Sequence, residues 1–235
     1  MASIDGSEAV SDVRELPEPI TLSSGAEARL RGPSSRLAVV CANGGQGRDV
    51  PGTWSASIEW LVGEVAPAFP SLRFAEVRYR IKSWNRLDLC VEDALAAIDA
   101  AGGERTLLVG FSMGGLVCVR AAVDPSVEAV LGLAPWLPDR LDLSPLVGKR
   151  FDVLHGGLDR WLPGIPGVSP TLSRKGFERA RRLGVEGTYT KIPGGVHGMA
   201  LRARSGRPVT LPRAGRWAEL AKEAVTRFQA TAGSS

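Results

Sequence analysis

From residue 37 onward the chain alternates short apolar runs with longer segments of helical spacing. The run LAVVC at 37–41 is continuous, as in strands covered on both faces, and it ends in Asn43-Gly44-Gly45-Gln46-Gly47. Beyond Pro51-Gly52, Thr53 is placed to cap a helix that carries Trp54, Ile58, Leu61, Val62 and Val65 on one face, stopped by Pro67 and Pro70. A strand is expected over 72–77. A helix capped by Asp88 follows, with Val91, Leu95 and Ile98 inward and Gly102-Gly103 at its end. The pattern then predicts strand 106–109, helix 116–122, strands 127–133 and 151–155, helix 170–183 and strand 187–192. A closing amphipathic helix over 211–228 carries Trp217, Leu220, Ala221, Ala224, Val225 and Phe228. Ahead of all this, 19–31 alternates weakly around a Ser-Gly turn, which suits a short edge hairpin.

Strands alternating with helices imply right-handed crossovers and a mostly parallel sheet, an α/β protein with helices on both faces. No internal repeat and no long linker divides the chain. One domain is expected over 19–235, behind a flexible leader at 1–18.

Composition narrows the function classes. A chain of 235 residues, 44% hydrophobic and 23% charged, buries one substantial core. No run approaches the roughly 18 apolar residues of a membrane span. The polar, acidic start MASIDGSEAVSDV has no apolar h-region, so no secretory signal is expected. Cys41, Cys90 and Cys118 are far apart and lack metal-ligand spacing. They read as buried thiols in a reducing cytoplasm, with neither a disulfide framework nor a zinc site. The net charge of +4 comes from Arg scattered over the last third without interleaved aromatics. Solvated surface is the reading there, with no nucleic-acid and no membrane partner. Composition says nothing of oligomeric state.

The candidate chemistry sits where an α/β sheet collects it, past the carboxyl ends of strands. Gly110-Phe111-Ser112-Met113-Gly114 joins a strand to a helix, the context of a nucleophile elbow. Chance supplies this pentapeptide about once in four chains of such Gly and Ser content, so its company decides its meaning. Asp159 and His197 lie past two later strands, in the order serine, acid, histidine. The bland roles are a capping serine and a loop carboxylate. The glycine-rich 43–49 segment lacks the full dinucleotide fingerprint, and no phosphate-binding P-loop occurs.

On GFSMGG, HGGLD and PGGVHGM the chain resembles the α/β-hydrolase family, over about 36–228. It is most similar to small serine hydrolases of the dienelactone hydrolase and bacterial carboxylesterase kind. The resemblance implies an α/β-hydrolase fold and a carboxylic ester, thioester or lactone as small-molecule substrate, cleaved through an acyl-enzyme. Ser112 is then the nucleophile and His197 the base, with His155 the rival. Asp159 is the acid; Asp152 lies inside its strand, and Asp139 and Asp142 come too early. No metal and no organic cofactor is expected. The oxyanion hole draws on the Met113 N–H and on the loop after the first core strand. There Asn43 replaces the family's usual histidine, and Gly45 N–H is nominated, with Gln46 second.

Asn43, Gly44, Gln46, Trp84, Trp136 and Trp161 are candidate substrate contacts, the tryptophans being equally suited to anchoring loops. Arg78 and Arg80 suit a substrate carboxylate or salt bridges with neighbouring loops. The few residues between Trp136 and Arg150 leave no room for a large cap domain. A serine nucleophile weakens assignment to dienelactone hydrolase itself, which a cysteine would indicate. A cofactor-free perhydrolase and a non-catalytic small-ligand binder are the alternatives on the same fold.

Overall fold

The computed structural model describes residues 16–159 and 167–231, so most of the expected leader and Trp161 lie outside the described residues. Its strands are β1 (Pro19–Thr21), β2 (Glu27–Arg31), β3 (Leu37–Ala42), β4 (Arg73–Arg78), β5 (Arg105–Phe111), β6 (Val127–Leu133), β7 (Arg150–Gly156) and β8 (Tyr189–Ile192), with β9 (Ala200–Arg202) and β10 (Pro208–Thr210) apart. The helices are α1 (Ala56–Val65), α2 (Leu87–Ala101), α3 (Met113–Ala121), α4 (Pro170–Arg182) and α5 (Ala214–Thr231). The main sheet runs β1-β2-β4-β3-β5-β6-β7-β8. Only β1–β2 and β2–β4 pair antiparallel within it, so the expected edge hairpin and parallel core are both present.

The apolar runs explain themselves by burial on both faces. On β3, Ala38 and Val40 belong to the buried cluster under α2, α3 and α4, while Val39 and Cys41 belong to the cluster under α1 and α5. All three cysteines are free and buried. Trp217 of α5 is fully buried against the sheet; truncating such a side chain typically costs about 3–5 kcal/mol.

Several expected boundaries move. Ser55, not Thr53, caps α1, because its side chain accepts the Ile58 N–H. Trp54 is therefore ahead of the helix and does not share its face. Asp88 lies in the first turn of α2 rather than capping it. A short 3-10 turn, Trp84–Arg86, runs into that helix, and its own cap is Ser83. The β9–β10 hairpin falls in a stretch that the periodicity left empty. The loop between β6 and β7 holds one 3-10 turn, Ser144–Leu146, and no cap domain occurs among the described residues. No helix among them is long and apolar enough to cross a membrane.

One feature of the strand order positions everything that follows. β4 lies on one side of β3 and β5 on the other. The chain leaves β3 toward α1 and leaves β5 toward α3, on opposite faces. Their turns diverge, opening a crevice at the carboxyl ends of the two strands.

Candidate active site

Ser112 stands at the end of β5 with φ 55° and ψ −116°. A non-glycine residue held there costs on the order of 1–3 kcal/mol, and its surroundings must impose it. They do so from two sides. Ser112 N–H donates to the Leu133 carbonyl at 2.9 Å, and Ser112 O accepts from Trp136 N–H at 2.9 Å, both on the strand end next door. The flanking glycines allow the tight approach. A Cβ on Gly110 would lie 2.3 Å from Gly114 O, and one on Gly114 would lie 2.4 Å from Ala42 O. Ser112 is the N-cap residue of α3, but its side chain makes no capping bond to the helix.

Asp159 follows β7 and is buried. Its Oδ2 lies 2.6 Å from His197 Nδ1, and its Oδ1 accepts Val168 N–H at 3.1 Å. His155 also reaches Oδ2, at 3.0 Å from Nε2, so the rival histidine is a neighbour of the same carboxylate. His155 itself is fully buried, and its Nδ1 faces the Ser173 hydroxyl at 2.7 Å, which lies 2.9 Å from the Tyr189 hydroxyl. Burial works against ionising Asp159, but the hydrogen bonds from His155 and His197 outweigh it and hold the carboxyl below its ordinary range. Burial pushes the Tyr189 hydroxyl up, partly offset by the Ser173 bond.

His197 is partly exposed, and its ring packs on Phe111 with centroids 5.0 Å apart. The segment just after it is pinned by Ser57 of α1. That buried hydroxyl accepts the Met199 and Ala200 N–H groups at 3.0 and 3.1 Å and donates to Ala200 O at 3.0 Å. Sequence periodicity gave no hint of Ser57, a small polar residue inside an apolar helix face.

A cleft of about 450 Å³ brings Ser112, Met113 and His197 together with Asn43, Gly44, Gly45, Trp84 and Trp136. Gln46 does not line it; its carbonyl accepts Trp84 N–H at 2.9 Å instead. Asn43 is a brace rather than a free contact. Its Oδ1 accepts Gly44 N–H at 2.6 Å and its Nδ2 donates to Thr53 O at 2.8 Å, while Tyr79 holds its carbonyl at 3.1 Å. That occupies the Gly44 donor and leaves Gly45 as the loop residue against Met113, where an added Cβ would meet the thioether. Trp84 and Trp136 sit 6.0 Å apart at the wall.

The arginines nominated for a substrate carboxylate are engaged elsewhere. Arg78 pairs with Glu27, and Arg80 pairs with Asp93 at 2.7 Å and Glu92 at 2.5 Å. The cleft instead carries Lys82 and Arg202, with Thr53, Trp54 and Leu201, none of them expected there from the sequence. Trp54 in particular is covered by the Arg29 guanidinium at 4.1 Å. No cluster of three or more His, Cys, Asp or Glu suited to a metal occurs among the described residues.

Comparison with known proteins agrees with this architecture. A sugar hydrolase from Lactococcus lactis is similar at TM-score 0.69 and 16% identity, over 91% of this chain and 98% of that one. A thermophilic esterase from Thermogutta terrifontis, with propionate bound, gives 0.65 and 18% over 90% and 94%. Dienelactone hydrolase from Anabaena variabilis gives 0.60 and 17% over 89% and 97%. At these identities the likeness establishes the fold alone. None of the curated proteins matches the sequence. The family model described as "Alpha/beta hydrolase family" matches residues 39–231, and with most of its length so covered the chain belongs to the alpha/beta hydrolase family.

Proposed function

We propose that this protein is a serine hydrolase that cleaves a carboxylic ester of modest size through an acyl-enzyme. The observation that carries the reading is the 2.6 Å contact between His197 Nδ1 and buried Asp159, on a ring that lines the same cleft as strained Ser112. Family membership supports hydrolase chemistry in general. Asp159 fixes the ring with Nδ1 protonated, so Nε2 is free to take the Ser112 proton as the hydroxyl attacks. The imidazolium then protonates the leaving alkoxide, and the cycle repeats with water. Met113 N–H and Gly45 N–H receive the oxyanion, each donor typically contributing about 3 kcal/mol. His155 meets the same Asp159 oxygen as His197 but stays off the reaction path, since it is fully buried and does not line the cleft. The open, cap-free mouth admits thioesters and lactones by the same steps. Three buried thiols suit a reducing cytoplasm.

The test is labelling with a fluorophosphonate and turnover of p-nitrophenyl acetate, beside Ser112→Ala. Both signals should vanish in the variant. Unlabelled wild type, or equal turnover by the variant, would overturn the reading and favour a ligand-binding role.

A further inference from the structure

The charges lining the cleft are one-sided. Among the described residues its charged members, histidine aside, are Lys82 and Arg202, with no Asp or Glu. Arg202 is already matched: its guanidinium meets both oxygens of Glu59, at 2.8 and 3.1 Å, and the Trp54 carbonyl at 3.2 Å. Lys82 is not. Its ammonium donates to the Thr53 hydroxyl at 2.8 Å, and among the described residues no carboxylate lies within ion-pair reach. Burial lowers the Lys82 ammonium, and no charged neighbour offsets it.

The position of this cation is defined, not incidental. The Thr53 hydroxyl that holds Lys82 belongs to the residue whose carbonyl receives Asn43 Nδ2. Asn43 in turn sets Gly44, where a Cβ would lie 3.4 Å from Ser112 Cβ. Lys82 N–H also donates to Val50 O at 2.8 Å, fixing the backbone on the same wall. A half-buried ammonium is thus braced through two residues to the oxyanion loop, with one neutral partner and donors to spare.

We propose that the cleft is built for an ester that also carries a free carboxylate, and that Lys82 pairs with that carboxylate. The inference rests on the esterase reading for the fate of the ester bond. The attraction is a charge-assisted hydrogen bond in a partly desolvated site, which is stronger than its surface counterpart. It supplies both affinity and orientation, presenting the ester carbonyl to Ser112.

The experiment compares monomethyl adipate with methyl heptanoate, and 3-acetoxybenzoate with its methyl ester, by proton release. Wild type should favour the anionic member of at least one pair by about tenfold to a hundredfold in kcat/KM, mostly through KM. The favoured pair tells whether the carboxylate lies on the acyl or the leaving side. Lys82→Met should abolish the ratio, Lys82→Arg should restore part of it, and Lys82→Glu should reverse it. An anionic-to-neutral ratio near one in wild type, or one that survives Lys82→Met, overturns the proposal while leaving the esterase reading intact. Should wild type cleave none of these esters, adipate binding to Ser112→Ala by calorimetry reads the anion site alone, and the esterase reading fails only if p-nitrophenyl acetate is not cleaved either. Binding lost in Ser112→Ala/Lys82→Met supports the site, and no binding to Ser112→Ala overturns it.

Discussion

Two cavities lie at opposite edges of the same parallel sheet, one at strand starts and one at strand ends. The larger, about 920 Å³, is at the amino ends of β6 and β7, and the smaller, about 450 Å³, is at the carboxyl ends of β3 and β5. Volume alone does not tell which of them carries chemistry. In the larger cavity two carboxylates are paired: Asp152 meets Arg150 at 2.8 Å and Arg227 at 3.2 Å, and Glu128 meets Arg105, while Lys149 is held by the Val127 and Asp124 carbonyls. In the smaller one the backbone is strained at Ser112, and a lysine lacks an anion. The larger cavity is a seam between strand starts and α5 whose Asp152 and Glu128 are held in ion pairs; the smaller carries the strained serine beside a histidine.

The largest expected effect separates the two histidines that meet Asp159, His197 lining the smaller cavity and His155 buried behind it. His197→Ala should lower kcat by about 10⁴ or more, measured with p-nitrophenyl acetate, because nothing else in reach takes the serine proton. His155→Ala removes a buried bond to Asp159 and to Ser173 instead. It should cost about 2–3 kcal/mol in denaturant unfolding and no more than about tenfold in kcat. The reverse ranking would make His155 the base.

A smaller effect is expected on the oxyanion side. In Gly45→Ala the new Cβ would fall 2.1 Å from Met113 Sδ and 3.2 Å from Trp84 Cδ1. The thioether can yield in part, so the loop N–H shifts rather than leaves, and kcat should fall about tenfold at nearly constant KM. An unchanged kcat would move the second donor away from Gly45.

These contrasts also mark what the sequence made legible. The parallel core was readable because buried central strands are continuous apolar runs, and 37–41, 106–109 and 127–133 are all found as strands. The order of Ser112, Asp159 and His197 was readable because each ends or follows a strand whose period was clear. The β9–β10 hairpin was not, since its strands of three residues carry exposed Leu201 and Val209 rather than a buried stripe. Lys82 and Trp54 escaped for another reason. Their place in the cleft depends on how the turns after β3 and β4 fold together, through contacts such as Lys82 N–H to Val50 O and Gly52 N–H to Arg80 O. No local pattern encodes that pairing. Arg78 and Arg80 looked equally eligible in sequence, and only their placement beside Glu27, Glu92 and Asp93 disqualifies them.

The smallest effects belong to the larger cavity, and they show whether it is as separate as its charges suggest. Burial opposes ionisation of Asp152, but bonds from Arg150 and Thr188 more than offset it and depress the carboxyl. A depressed carboxyl adds stability that is present above its unfolded value of about 3.9 and is lost as pH falls through the lower folded value. Asp152→Asn should therefore destabilise by about 2–3 kcal/mol at pH 7, with the gap to wild type closing at pH 3. Arg227→Ala removes a half-exposed partner while Arg150 and Thr188 stay in place, so it should cost under about 1 kcal/mol. Urea unfolding at the two pH values checks both. Turnover in either variant should stay within about twofold of wild type, as expected for substitutions distant from the reacting groups. A larger fall in Asp152→Asn would mean that strain at the start of β7 reaches Asp159 beyond its end, and that the two cavities are coupled through that strand.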